Sequence, residues 1–206
     1  MSWNWLGWLL WIAAIAFLVY VIHYIRVKQL MLIAKTHQRF EKGLFFRYVV
    51  LVVIALAWLG FMGYATWFRP VSYADSSAVT TKTTYTALQL SSSGNDYYYV
   101  RVNHSNAGNH GVVSYTYQTQ DGNYTTSAYF SSLADGNNVL PATAMDLPWN
   151  KKKLNQTDIQ TGHAFVATMT VRYKNTLMNG IGIRANHIAI QYNLIRIPSD
   201  DMEIQK

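Results

Sequence analysis

Residues 3–25 read WNWLGWLLWIAAIAFLVYVIHYI, 23 positions without a formal charge. As a helix rising about 1.5 Å per residue, this stretch crosses a hydrocarbon core of about 30 Å. Trp3, Trp5 and Trp8 crowd one end, and His23 and Tyr24 mark the other. Indole and phenol rings favour the headgroup level, so these residues read as interface anchors. A cleaved signal peptide needs a basic segment ahead of its apolar run. No Lys or Arg precedes Trp3, so the run reads as a retained transmembrane helix within residues 1–25.

A second uncharged run, YVVLVVIALAWLGFMGYATWF, fills residues 48–68, and Pro70 discourages its continuation. Between the two runs, residues 26–47 carry Arg26, Lys28, Lys35, Arg39, Lys42 and Arg47 against Glu41 alone. Positive loops stay in the cytoplasm. The expected topology is therefore a two-pass plasma-membrane protein, with the N-terminus and residues 71–206 outside and loop 26–47 inside. On a helix, Lys28, Lys35, Arg39 and Lys42 share one narrow sector, opposite Val27, Leu30, Met31, Ile33, Ala34 and Phe40. That pattern reads as a basic amphipathic segment touching the anionic inner leaflet, or as an orientation signal only.

Half of the 206 residues are apolar and 13% are charged, and the apolar excess lies in the first third of the chain. The net charge of +7 comes mostly from loop 26–47. It is a topology signal, and nucleic acid is not an expected partner. The absence of cysteine excludes a disulfide scaffold, a cysteine nucleophile, a lipid-anchored cysteine and thiolate zinc sites.

After a linker at 69–78 the alphabet turns to Thr, Tyr, Ser, Val and Asn. Residues 164–174 alternate most clearly, with Phe165, Ala167, Met169, Val171 and Tyr173 on one face and Thr168, Thr170, Arg172 and Lys174 on the other. Further strands are predicted at 79–90, 97–103, 111–120, 123–130 and 183–197. Asp121-Gly122 marks a hairpin, and Asn179-Gly180 a looser turn. Residues 131–162 show no alternation and read as a long loop. The expected architecture is membrane-anchored all-β: two N-terminal transmembrane helices followed by an extracytoplasmic antiparallel β-sandwich-like domain over residues 79–206.

The Trp-rich opening (WNWLGWLLWIAAIAFLV), the basic loop and the exit sequence YATWFRPVSYAD at 64–75 resemble a family from lactobacilli and related Gram-positive bacteria. Its members have two N-terminal helices, a basic loop and a C-terminal domain outside the cell. The resemblance implies that architecture and location, and it implies no activity and no functional residue.

No motif selects an active site. There is no HExxH, no GxSxG and no SxxK, and the six histidines form no tight cluster in sequence. The reading names no catalytic residue, metal or cofactor. Two stretches suit contacts instead. Trp149 followed by Lys151, Lys152 and Lys153 suits a polyanion, glycan or outer-leaflet surface. In the run Tyr97-Tyr98-Tyr99, Tyr98 is expected to point into the core with Val100 and Val102. Tyr97 and Tyr99 then face outward beside Arg101, where their rings suit a sugar or an extended peptide. The leading functional expectation is a non-enzymatic cell-envelope protein whose exported domain binds or scaffolds another membrane protein or a wall polymer. An accessory subunit of an envelope complex fits the same features. The rivals are an envelope-metabolism enzyme with an unrecognised site and a sensor relaying through a partner.

Overall fold

The computed structural model describes residues 2–36, 40–94, 96–107, 110–135 and 138–198. The chain divides into two units. The first comprises Met1–Ser72 and Tyr173–His187; the second comprises Tyr73–Arg172 and Ile188–Lys206.

The first unit is a helix pair with a late-arriving segment. Helix α1 spans Asn4–Thr36, 33 residues, or about 50 Å. It therefore runs on through half of the expected basic loop instead of stopping near residue 25. Charge ends the apolar stretch, but Arg, Lys, Leu and Met are good helix formers, so the helix itself continues. Helix α2 spans Lys42–Gly63 and widens into a π-helical turn at Tyr64–Phe68. Ala14 and Val21 of α1 are buried at seven-residue spacing, as are Ala55 and Met62 of α2. Such a repeat produces a narrow seam between two helices. Aromatic pairs run down that seam: Trp11–Trp67 at 5.6 Å, Phe17–Trp58 at 5.9 Å and Tyr24–Tyr48 at 6.4 Å between ring centroids. Both helices are long and apolar enough to span a membrane, and only 17% and 6% of their most apolar windows are buried. A helix at the core of a water-soluble fold would be mostly covered; these are apolar nearly all round.

The second unit is a mostly-strand domain. Its strands are β1 (Val79–Gln89), β2 (Ser91–Ser93), β3 (Asp96–Tyr98), β4 (Val100–Ala107), β5 (His110–Thr119), β6 (Gly122–Ser127), β7 (Ser131–Ala134), β8 (Phe165–Tyr173) and β9 (Ile188–Arg196), with helix α3 at Lys151–Gln160. The main sheet runs β4-β5-β1-β8-β9-β7, with β6 on β5, while β2 and β3 pair separately. The expected purely antiparallel domain is corrected here, because β7 runs parallel to β9 in the register Ser131↔Asn193 to Ala134↔Arg196. Strand β8, which follows the long connection containing α3, runs antiparallel to β9, so the chain reverses twice between β7 and β9, and β9 enters between β8 and β7 in the direction of β7.

Strand β8 follows its alternation: Phe165, Ala167, Met169 and Val171 are fully buried. They share a face with Tyr192, Leu194 and Arg196 of β9, through Met169↔Tyr192, Ala167↔Leu194 and Phe165↔Arg196. Helix α3 supplies Leu154 and Asp158 as its buried residues. Asp158 accepts from Arg196 Nε at 3.0 Å and lies 2.8 Å from His163 Nδ1, which places α3 against this face. The segment read as a structureless loop is thus largely ordered. The other face is built on Val166, Ile195 and Ile197, packed with Leu88, Ala164 and Tyr117 and flanked by Tyr115, Val100 and Leu133. Here the β4-β5-β6 portion folds across the sheet. Its continuity with β1 is limited to Leu88↔Thr119 and Gln89↔Gln118.

Two local expectations shift. The β5–β6 hairpin turns at Gln120-Asp121, one residue earlier than read, with Gly122 at φ +136°. The last strand begins at Ile188 instead of residue 183, because residues 183–187 belong to the first unit.

Candidate functional site

The space between the two layers of the second unit is filled by aliphatic and aromatic side chains at one end and opens as a cleft at the other. The cleft has a volume of about 520 Å³. Its floor is polar because the outward-facing positions of the central strands carry hydroxyls and amides: Thr84 and Thr86 of β1, Thr168 of β8, and Gln191 and Asn193 of β9. Its roof comes from the β5–β6 hairpin and the following turn, with Tyr117, Tyr124, Thr126 and Phe130. Among the described residues, Asp121 is the one charged residue of its lining.

Hydrogen bonds fix several of these groups. Thr168 Oγ1 donates to Asn193 Oδ1 at 2.8 Å, and Asn193 Nδ2 donates to Thr126 Oγ1 at 3.1 Å. Floor and roof are tied together by this relay. Tyr117 and Tyr124 face each other in register, with rings stacked at 5.9 Å and 24°. Burial, and then the neighbouring Tyr124, hold the Tyr117 phenol above its ordinary value, so it stays a neutral hydroxyl. Tyr124 and Phe130 remain exposed. A cleft with positioned neutral hydrogen-bonding groups and exposed aromatic faces suits an uncharged, hydroxyl- or amide-bearing ligand.

A family model named after a Lactobacillus locus, to which no activity is attached, matches residues 2–204. The chain belongs to this family. No curated protein and no solved structure matches it. Membership adds no functional residue, so the site rests on geometry alone.

The residues expected from sequence fall elsewhere. Trp149 is buried, 8% exposed; its Nε1 donates to Ala144 O at 2.9 Å and its ring meets Tyr192 edge-on at 6.5 Å. Its apolar surface is spent on its own domain, so the expected exposed Trp–Lys patch loses its aromatic member. Lys151, Lys152 and Lys153 form the exposed first turn of α3, capped by Asn150 through Lys153 N at 3.1 Å. The Lys153 ammonium sits over the Tyr85 ring at 5.1 Å.

The tyrosine run also divides differently. Tyr97 is 75% exposed, as expected. Tyr99, expected outside, packs against the core cluster. Tyr98, expected in the core, lies under the Arg101 guanidinium at 4.7 Å. The cause is the break at Tyr99 between β3 and β4, across which period-two alternation does not carry. Of the basic sector, Lys28 and Lys35 project from the extension of α1 and Lys42 opens α2, while Arg39 lies outside the described residues. The sector is thus divided between two helices and does not form one separate amphipathic helix.

Sequence reasoning missed the cleft-lining Tyr117, Tyr124, Thr126 and Asn193. The available signal was the repeated outward threonine of β1, β6 and β8, which read as ordinary polar strand faces. Among the described residues no group of three His, Asp or Glu gathers as a metal site.

Proposed function

We propose that this is a membrane-anchored cell-envelope protein whose strand domain is a binding module for an uncharged, hydroxyl-rich chain such as a wall glycan. The observation that carries the reading is the cleft: neutral hydroxyls and amides on its floor, two exposed aromatic rings on its roof and a lone carboxylate at Asp121. A polyanion is a poor fit for a cleft whose one charged lining residue, among the described residues, is a carboxylate. The test uses purified full-length protein in detergent with oligomers of N-acetylglucosamine as the probe. Tyr124→Ala combined with Phe130→Ala is expected to reduce binding at least tenfold, because stacking surface contributes of order 1 kcal/mol per ring. Replacing Lys151, Lys152 and Lys153 by glutamine is expected to leave binding unchanged. Equal binding by wild type and the aromatic double variant would sink the proposal.

The two helices anchor the domain, with the basic stretch around residues 26–47 in the cytoplasm and both the N-terminus and the strand domain outside. The support is charge asymmetry, since every described apolar segment is uncharged and the basic residues cluster between them. A topology reporter fused after Lys206 is expected to be active only outside the cell, and one inserted near Gln38 only inside. Cytoplasmic activity of the Lys206 fusion would reverse the orientation.

A further inference from the structure

Residues 173–187, which join β8 to β9, form a polar-backboned excursion bonded to one end of the helix pair. Within it, Leu177–Ile181 makes a single helical turn, α4, begun by Thr176, whose hydroxyl accepts from Asn179 N at 3.4 Å. Trp3 N donates to Asn175 Oδ1 at 2.8 Å. Asn4 bonds Ala185 in both directions, through Nδ2 to the carbonyl and from the amide to Oδ1, each at 2.9 Å. Arg184 donates from Nε to Thr66 O at 2.9 Å and from a terminal nitrogen to Arg69 O at 2.8 Å, satisfying carbonyls that the π turn leaves open. Arg69 in turn donates to Met178 O at 3.0 Å.

These bonds place α4 level with residues 3–7 at the start of α1 and residues 65–69 at and just after the π turn that follows α2. That is also the level of Trp3, Trp5, Trp8, Trp67 and Phe68, all exposed. At this level Leu177 and Met178 are 48% and 53% exposed. An indole-rich ring marks the headgroup region of a bilayer. Backbone enters such a region at low cost when its polar groups are bonded internally, as many of this segment's are.

We infer that residues 173–187 are a membrane foot: Leu177 and Met178 enter the acyl-chain edge of the leaflet that surrounds the N-terminal end of α1. The inference rests on the reading of α1 and α2 as membrane spans. Its partner is the lipid surface itself, and aromatic residues of the same belt flank it.

The chain has no cysteine, so a single nitroxide can be placed by Met178→Cys in the full chain reconstituted in phosphatidylcholine/phosphatidylglycerol vesicles. Leu177→Cys serves as the second site should the first disturb packing. Collision with oxygen relative to a water-soluble nickel chelate is measured at these sites, at Lys152→Cys on exposed α3 and at Ile54→Cys midway along α2. The expected ratio at 177 and 178 is several-fold above that at 152 and below that at 54. Ratios at 177 and 178 equal to that at 152, with 54 still oxygen-rich, overturn the foot while leaving the spans intact. A nickel-accessible label at 54 overturns the spans and the foot together.

Discussion

Asp158→Ala is expected to cost the strand domain about 3–5 kcal/mol, because it removes the carboxylate from a buried ion pair. Asp158 and Arg196 are both buried, and their contact bridges α3 to the central strand β9 at 3.0 Å. Arg196 also donates to Ala134 O at 3.3 Å. A domain of this size has a total stability of about 5–15 kcal/mol, so the loss takes a large share of it. Amide exchange in β8 and β9, followed by mass spectrometry in detergent, should accelerate by roughly 100-fold to several thousand-fold, at about 1.4 kcal/mol per tenfold. Asp158→Leu with Arg196→Met removes both charges and should cost much less. If Asp158→Ala exchanges within threefold of wild type, the pair does not hold α3 to the sheet.

Gly180→Val should release residues 173–187 from the helix ends. A β-carbon at Gly180 would overlap the Trp3 backbone, and one at Gly7 would overlap the Gly180 carbonyl. Neither neighbour is a flexible side-chain tip, so the segment has to move as a whole. The amide of Ala185, which donates to Asn4 Oδ1, then opens to water, and its exchange should rise by about 100-fold or more. Exchange in the middle of β8 should stay as in wild type. Gly63→Ala is the contrast: its β-carbon would meet Trp67 at an ordinary 3.7 Å and should change nothing. Unaltered protection at Ala185 in Gly180→Val would refute the close approach.

Local chemistry made part of this molecule legible. Strand β8 could be read because Phe165, Ala167, Met169 and Val171 alternate with polar residues, and the β5–β6 hairpin because Gly122 supplies the positive φ. The two apolar helices were legible from charge alone. Helix α3 was not: KKKLNQTDIQ buries only Leu154 and Asp158, leaves Ile159 exposed and puts three lysines at the end of the helix dipole that repels them. The cleft was illegible for a different reason. Thr84, Tyr124 and Asn193 meet only because one part of a sheet folds over another, and no window of sequence contains that fold. Gly7 and Gly180 looked like independent glycines until their distant segments met.

The bonds from Trp3 and Asn4 reach residues 172 and 181 positions away in sequence. At a synthesis rate of about 5–20 residues per second, the first helix waits roughly 10–35 s before its partners leave the ribosome. Completion of the helix unit is therefore a late checkpoint in biogenesis. A chain interrupted before Arg184 leaves Asn4 and the open carbonyls of Thr66 and Arg69 without their intended partners. Those unmet polar groups at one end of the helix pair physically distinguish an unfinished molecule from a finished one.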